Sequence, residues 1–200
     1  MLTLEKQALR KIFKEKRLSL NQDEITQKSK EITKNFITNL LPKIYHKNSK
    51  EIFSIYLSSS GEVSCDGLAE YFTKNNIKFS YPKIIQKNFP LNFILAQNNQ
   101  SFKPNSFYPK LLEPINGENI LPNILILPLL AFDSSLARLG MGGGFFDRTI
   151  EFYKNQKLKI ITIGLAYDFQ RSHEALPIEK TDQKLDFIAT ESMIFSASQQ

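Results

Sequence analysis

Residues 137–148, ARLGMGGGFFDR, combine features that could bind an anion. Four of the chain's eight glycines lie between Gly140 and Gly144, with Arg138 before them and Arg148 after them. Glycines let the backbone approach a ligand closely and adopt positive φ. If a helix begins after them, its free N–H groups attract phosphate, and the arginines can add charge-assisted hydrogen bonds. The stretch indicates a phosphate-binding loop, with a flexible turn before a helix as an equal alternative.

Two standard phosphate motifs do not fit this loop. A Walker A loop needs Gly-Lys-Ser/Thr at the helix start, and a G-x-G-x-x-G fingerprint needs glycine where this chain has Phe145. Asp147 falls in the first helical turn, where the helix dipole favours a carboxylate. Its functional interpretation is a Mg²⁺ ligand beside phosphates. Asp182 is a second candidate carboxylate, but the sequence spacing alone does not bring the two together.

The elements around the loop alternate between helices and strands. Amphipathic helices are predicted over 4–18 and 21–41, the second ending near Pro42 because proline cannot continue a helix. In the first of these, a basic face lies opposite the apolar positions, which are Leu4, Ala8, Leu9, Ile12 and Phe13. Buried strands are predicted over 51–57, 123–132 and 158–167, and further strands over 77–84 and 184–191. Shorter helices are predicted over 65–76 and 144–156, and residues 85–120 are expected to form strands and loops along one sheet edge.

This order predicts the fold class. Strands that alternate with helices favour an α/β domain. We therefore expect a single layered domain over residues 1–200, with a largely parallel sheet flanked by helices in a Rossmann-like three-layer arrangement.

Composition narrows the class of partner. The chain is 42% apolar and 23% charged, and its net charge of +6 fits an anionic partner such as a nucleotide, a nucleic acid or a polyacidic small molecule. A solvated lysine-rich surface explains the same charge. No apolar run approaches the ~20 residues of a membrane span, and the N-terminus lacks the hydrophobic core of a signal peptide. The single cysteine, Cys65, excludes an internal disulfide. We expect a cytoplasmic location, and we assign no catalytic role to Cys65, His46 or His173.

The glycine loop and its flanks resemble a known signature. The stretch LPLLAFDSSLARLGMGGGFFDR resembles that of the 5-formyltetrahydrofolate cyclo-ligase family, also called methenyltetrahydrofolate synthetases. Further segments match in order from about residue 6 to 191: KQALRK, SIYLSSSGEVSCDGL, YPKI, IGLAYDFQ and LPIEKTDQKLDFIATE. The resemblance implies a ligase that forms a C–N bond, using ATP and Mg²⁺ to convert 5-formyltetrahydrofolate into 5,10-methenyltetrahydrofolate.

The resemblance also implies site residues. The expected catalytic residues are Arg138 and Asp147, and the expected Mg²⁺ ligands are Asp147 and Asp182. The expected ATP contacts are Lys6, Gln7, Ala8, Leu9, Arg10, Arg138, Leu139, Gly140, Met141, Gly142, Gly143, Gly144, Phe145 and Phe146. The expected folate contacts are Leu57, Glu62, Met141, Gly142, Gly143, Gly144 and Phe145.

One departure from the family pattern keeps an alternative open. The family often has two tyrosines where this chain has Phe145 and Phe146. A phenol hydroxyl is therefore missing, although ring stacking remains available. The alternative is a non-catalytic folate-binding or nucleotide-binding protein of the same fold. A nucleic-acid-binding module is supported by charge alone, and we expect small-molecule substrates, no nucleic-acid or membrane partner, and a monomer.

Overall fold

An eight-stranded sheet forms the centre of the computed structural model, which describes residues 2–47 and 49–197. In chain order the strands are β1 (Phe53–Ser54), β2 (Phe79–Lys83), β3 (Asn92–Leu95), β4 (Phe102–Pro104), β5 (Leu112–Pro114), β6 (Asn119–Ile120), β7 (Ile124–Pro128), β8 (Ala131–Phe132), β9 (Arg138–Leu139), β10 (Ile161–Leu165), β11 (Phe187–Ala189) and β12 (Ile194–Ser196). The order across the sheet is β12-β11-β10-β7-β1-β2-β3-β6. Its middle strands, from β11 to β2, are parallel, and β12, β3 and β6 add antiparallel edges.

Helices cover both faces of this sheet. They are α1 (Leu2–Leu18), α2 (Gln22–Asn35), α3 (Leu41–Ile44), α4 (Asp66–Lys74) and α5 (Phe145–Asn155). A π-helical turn joins α2 to α3, and a 3₁₀ turn follows β10. Among the described residues, no helix combines the length and apolar composition that crossing a bilayer requires. The prediction of a largely parallel sheet flanked by helices is confirmed, and the single domain stays a prediction.

The central strand β7 shows why the layers form. Ile124 and Ile126 pack into one core cluster with side chains of α2 and α4. The alternate residues, Leu125 and Leu127, pack into a second cluster with side chains of α5. Because successive side chains of a strand point to opposite faces, a strand of consecutive apolar residues needs cover on both sides. The run ILIL therefore specifies a sheet between two helical layers.

The strand order places a crevice between β1 and β7. From β1 the chain passes through α4 to β2 on one side, whereas β7 lies on the other side of β1 and leads through α5 to β10. Ligands of open α/β sheets bind beyond the carboxyl ends of strands at such a reversal. The segments that leave these two ends, at Leu57 and Leu129, both line one cleft.

The second helix does not stop at Pro42. Its N-terminus is fixed by a capping box in which Asn21 and Glu24 exchange hydrogen bonds of 3.0 and 2.9 Å. At the other end the π-helical turn leads into α3, and Pro42 lies in the first turn of that helix. Proline lacks an N–H group, but the first turn of a helix does not need one. Helical structure ends at Ile44, two residues after Pro42, so the stop lies near the expected position, but the proline itself does not end the helix.

The apolar positions of helix α1 are mostly exposed. Leu4 is 70% exposed and Ile12 is 47% exposed, and Ala8 also faces solvent. Of the apolar positions, Phe13 is the buried one. The basic face is turned inward instead, and its members line the cleft: Lys6, Arg10, Lys14 and Arg17.

The segment over 85–120 behaves as expected. Strands β3 and β6 extend one edge of the main sheet, and β4 pairs with β5 in a separate two-stranded hairpin. The hairpin lies beside the crevice and contributes residues to its wall.

Candidate active site

A cleft of about 1020 Å³ opens at the carboxyl ends of β1 and β7. Its walls come from α1, the loop after β1, the β4-β5 hairpin, the glycine loop and the loop before β11. Most residues predicted from the sequence line it: Lys6, Arg10, Leu57, Glu62, Arg138, Leu139, Gly140, Met141, Gly142, Gly143, Gly144, Phe145, Phe146, Asp147 and Asp182. Gln7 and Ala8 face solvent, and Leu9 packs against the cluster that contains Phe13. These three side chains lie outside the cleft wall.

The glycine loop is held in place from its N-terminal side. The short hairpin β8-β9 precedes it, and Asp133 fastens that hairpin by accepting hydrogen bonds from the backbone of Ser135 and Ala137. Gly142 and Gly144 then adopt φ of +95° and +63°, a region that favours glycine. Because the N-cap of α5 is Gly144, no side chain caps this helix. Its first-turn N–H groups are therefore suited to bind an anion.

Two arginines hold the loop through its carbonyl groups. Arg10 Nε donates to the Gly140 carbonyl at 3.0 Å, and Arg148 Nη2 donates to the Gly143 carbonyl at 2.7 Å. The Arg148 guanidinium also lies 5.0 Å from the centre of the Phe145 ring. These contacts fix the loop without using its N–H groups.

The first predicted metal carboxylate, Asp147, contacts the residue that follows the second one, Asp182. Asp147 Oδ1 accepts hydrogen bonds from Arg138 Nη2 at 2.8 Å and from the backbone N–H of Gln183 at 3.1 Å. Asp182, the residue before Gln183, accepts from Lys6 Nζ at 2.5 Å and from the Glu179 N–H at 2.7 Å. The fold therefore supplies the proximity that sequence spacing could not.

Each cation of these pairs is buried. The side chains of Lys6 and Arg138 are 6% and 5% exposed. Burial lowers the pKa of the Arg138 guanidinium, and the neighbouring Asp147 opposes that shift. Arginine nevertheless stays charged in proteins, so the Arg138 guanidinium is a permanent positive charge in the cleft wall beside Asp147.

The carboxylates of this cleft match one common mode of magnesium binding. Among residues 2–47 and 49–197, no three His, Cys, Asp or Glu side chains form a cage for a metal ion. Magnesium is commonly bound by one or two carboxylates together with substrate phosphates. Asp147 and Asp182 match that mode. The hydrogen bonds described above use Oδ1 of Asp147 and Oδ2 of Asp182, which leaves the second oxygen of each carboxylate for a metal ion.

At the other end of the cleft lies a buried carboxylate with an arginine that sequence reasoning missed. The Glu62 side chain is 9% exposed, and its Oε2 accepts from the Ser59 N–H at 2.9 Å. Arg17 Nη1 lies 3.6 Å from Glu62 Oε1, and the Arg17 side chain is 1% exposed. Burial raises the pKa of Glu62, and Arg17 counteracts that effect. A signal for Arg17 was present, because it continues the helical face of Lys6 and Arg10.

The β4-β5 hairpin adds aromatic residues that the sequence did not single out. Asn105, 2% exposed, accepts hydrogen bonds of 2.9 Å from the backbone N–H groups of Phe107 and Tyr108. The Tyr108 ring then meets the Phe145 ring edge-on, with centres 5.6 Å apart. This contact joins the hairpin to the glycine loop across the cleft. The linear sequence holds no periodic signal for a contact between residues so far apart.

Comparison with known proteins gives a consistent assignment. A sequence profile of the 5-formyltetrahydrofolate cyclo-ligase family matches residues 3–191. A 5-formyltetrahydrofolate cyclo-ligase of Haemophilus influenzae is 33% identical over 92% of this chain and 97% of its own length. The solution structure of an Aquifex aeolicus 5,10-methenyltetrahydrofolate synthetase superposes with a TM-score of 0.78 at 26% identity, covering 98% of this chain and 94% of that one.

A second solved structure agrees with the first. A 5,10-methenyltetrahydrofolate synthetase of Mycoplasma pneumoniae superposes with a TM-score of 0.69 at 27% identity, covering 94% of this chain and 99% of that protein. The resemblance seen in the glycine loop thus extends over nearly the whole fold. The chain belongs to the 5-formyltetrahydrofolate cyclo-ligase family.

Proposed function

We propose that this protein catalyses the ATP-dependent cyclisation of 5-formyltetrahydrofolate to 5,10-methenyltetrahydrofolate, with release of ADP and phosphate. One observation carries the proposal beside the family assignment. A single cleft joins an anion-binding glycine loop, flanked by buried cations, to a buried carboxylate at Glu62. The glycine loop with its cations suits phosphoryl transfer, and the Glu62 carboxylate suits recognition of a ring system that donates hydrogen bonds.

The chemistry explains why ATP is required. The N5-formyl group is amide-like, so its carbon is a poor electrophile and its oxygen a poor leaving group. Transfer of the γ-phosphoryl group to the formyl oxygen releases ADP and gives an imidate phosphate. The N10 lone pair then attacks the formyl carbon, the C–O bond breaks, phosphate leaves, and N10 loses its proton. The product is the cyclic methenyl cation.

This reaction asks the protein mainly for positioning and for charge neutralisation. The first-turn N–H groups of α5 and the glycine loop bind the phosphates, and Lys6 and Arg138 neutralise the charge of the transferred group. Arg10 keeps the loop in its binding conformation through the Gly140 carbonyl. In this arrangement no nucleophilic side chain is needed.

We propose Asp147 and Asp182 as the residues that hold Mg²⁺. When bound with ATP, the ion would screen the charge of the phosphate oxygens. Lys6 and Arg138 donate hydrogen bonds to these carboxylates. Both cations line the same cleft as the glycine loop, so each can exchange a carboxylate for a phosphate oxygen there.

The folate end of the cleft is assigned to Leu57, Glu62 and Phe145. An ionised Glu62 accepts hydrogen bonds from pterin N–H groups, and Leu57 provides an apolar wall. Phe145, fixed between Tyr108 and Arg148, offers a ring for stacking in place of the tyrosine that is common in the family.

The test is a direct assay. Purified protein is incubated with ATP, Mg²⁺ and 5-formyltetrahydrofolate, and the near-ultraviolet absorbance of the methenyl product is followed, with reactions lacking ATP as the control. An ATP-dependent rise in absorbance is expected. Absence of that rise at high protein concentration would overturn the proposal. Tight binding of 5-formyltetrahydrofolate without turnover would select the non-catalytic alternative instead.

Three further expectations stay predictions. These are the monomeric state, the cytoplasmic location and the lack of a nucleic-acid partner. The last is checked by retention on DNA or RNA at low salt, where phosphate-driven binding is strongest. We expect no retention.

A further inference from the structure

Arg17 joins three segments of the cleft wall. Its Nε donates to the Ser60 carbonyl at 3.1 Å, and its Nη1 lies 3.4 Å from the Leu129 carbonyl. Its Nη2 points to Met141 Sδ at 3.7 Å, and its Nη1 lies 3.6 Å from the Glu62 carboxylate. One buried guanidinium therefore connects the loop after β1, the end of β7 and the glycine loop.

The backbone of Arg17 also packs closely against the loop after β1. Gly61 adopts φ of +75°, and a Cβ atom there would lie 2.8 Å from the Arg17 carbonyl oxygen. The loop that carries Glu62 is thus packed directly on the last turn of α1. A side chain at position 61 would push Glu62 away from Arg17.

We propose that Arg17 is a positioning residue for the folate substrate, which holds the Glu62 carboxylate in place and supplies the positive charge that this buried carboxylate needs. This inference rests on the proposed function, because Glu62 is a folate contact only there. Arg17 acts through Glu62 and not on the reacting atoms. Its effect should therefore appear in folate binding and leave ATP binding almost unchanged.

The surroundings of Glu62 explain why a single cation matters. The ionisable groups around it are Arg17 from α1, Tyr56 after β1, Cys65 before α4 and Tyr167 after β10. Burial raises the pKa of the Tyr56 hydroxyl well above its usual value, and it raises those of Cys65 and Tyr167 to about 12. These three groups are neutral between pH 5 and 8. Arg17 is the permanent positive charge of this set.

The direction in which folate affinity changes with pH follows from the environment of Glu62. Burial raises the pKa of Glu62, and Arg17 lowers it. Folate affinity in the wild-type protein should therefore rise with pH as Glu62 ionises, above the ordinary range of a glutamate. Without Arg17 that rise in folate affinity moves to still higher pH.

The experiment measures binding of 5-formyltetrahydrofolate alone by calorimetry from pH 5.5 to 8.5, and binding of ATP separately. For Arg17→Met we expect folate to bind about tenfold or more weakly at pH 7, with ATP affinity within about twofold. The loss should shrink as pH rises. Arg17→Lys keeps the charge and should restore the wild-type pH profile. Lys11→Met, an exposed change of the same charge on α1, is the matched control and should behave as wild type.

A double-mutant cycle separates positioning from general packing. In the Glu62→Gln background, Arg17→Met should weaken folate binding no further, because its route of action is gone. The double variant removes both charges of the Arg17–Glu62 pair, so it leaves no buried carboxylate without a partner. It therefore keeps the inference testable if Arg17→Met alone fails to fold. Additive losses, or equal losses for folate and ATP, would overturn the inference.

The remaining outcomes are also decisive. A folded Arg17→Met protein with wild-type folate affinity and pH profile would overturn the inference while leaving the proposed function intact. A wild-type protein that does not bind 5-formyltetrahydrofolate would overturn the proposed function, and this inference with it.

Discussion

At the scale of single residues, Asp147 has two roles that a substitution can separate. Its Oδ1 pairs with Arg138 and with the Gln183 N–H, which is a structural role, and its second oxygen is proposed for Mg²⁺. Asp147→Ala removes both roles and takes from the buried Arg138 guanidinium its carboxylate partner. We expect it to lose about 1–3 kcal/mol of unfolding free energy. Thermal or urea unfolding measures this loss.

Asp147→Asn separates the two roles. It keeps an oxygen that can accept from Arg138 and Gln183, so we expect it to retain more of the stability than Asp147→Ala. Both variants should lose about 100-fold or more of Mg²⁺-dependent turnover, since a metal contributes several kcal/mol to phosphoryl-transfer chemistry. Near wild-type turnover in either variant would mean that the metal lies elsewhere.

The glycines of the loop offer a matched pair. Gly142 adopts φ of +95°, whereas a Cβ at Gly140 would meet nothing within 4 Å and the backbone there is ordinary. Gly142→Ala must either strain the loop by about 1–2 kcal/mol or change its path. We expect the KM for ATP to rise about tenfold in Gly142→Ala. In Gly140→Ala the KM should stay within about twofold, and equal effects in both would argue against the loop conformation as the cause.

Single residues differ in how well the sequence reveals them. Glycine and aspartate at the loop could be found because their backbone freedom and charge are local properties of residues 140–147. Arg17 continues the helical face of Lys6 and Arg10, but that signal is weak because a basic residue on a surface helix is usually solvated. Its burial depends on partners at Ser60, Leu129 and Met141, which only the fold brings together.

At the scale of elements, α1 is the element whose docking decides the site. It brings Lys6 and Arg10 to the cleft, yet its apolar anchor is small: Phe13 is 7% exposed and packs with Leu130, Ala131, Leu139 and Leu176. Such an element should open more easily than the sheet, because it buries few apolar contacts. ATP, bound partly by α1, should in turn hold it down.

The test compares two neighbours on this helix. Phe13→Ala should cost about 3 kcal/mol of stability and should weaken ATP binding, because α1 detaches. Ile12→Ala removes a side chain that is 47% exposed and should change neither quantity appreciably. Hydrogen exchange in α1 measures the detachment directly. If Phe13→Ala lowers overall stability while ATP still protects α1 as in wild type, docking through Phe13 is not what the site depends on.

Elements were predicted where local pattern and burial agree. The run ILIL at 124–127 is buried in any layered sheet, and so β7 was found. The orientation of α1 and the path of the chain at Pro42 were not predicted. Helical periodicity identifies two faces of a helix but not which one a cleft requires. Proline disrupts a helix interior but is tolerated in a first turn, and the sequence does not show that the π-helical turn before Pro42 leads into a new helix there.

At the scale of the whole molecule, the cleft is assembled from distant parts of the chain. Lys6 meets Asp182, and Arg17 meets Glu62 and Leu129. A ligand that contacts all these segments must bind the native fold and not the unfolded chain. Binding of folate or ATP should therefore stabilise the fold as a whole by mass action.

Cys65, the only cysteine of the sequence, can report that stabilisation. It is 3% exposed, and burial raises the pKa of its thiol to about 12. Alkylation needs the thiolate, whose pKa in an unfolded chain is about 8.5. At pH 8 the native thiol should therefore react with iodoacetamide only when the fold opens, while urea-unfolded protein reacts at once.

Ligands should slow this reaction by a known factor. At 100 times its dissociation constant, 5-formyltetrahydrofolate or ATP reduces the unfolded population about 100-fold, and the labelling rate, followed by mass spectrometry, should fall by the same factor. The urea-unfolded protein is the control, and its rate should not respond to either ligand. Rapid labelling of native protein, unchanged by ligands, would instead mean that the start of α4 opens locally, independently of the cleft.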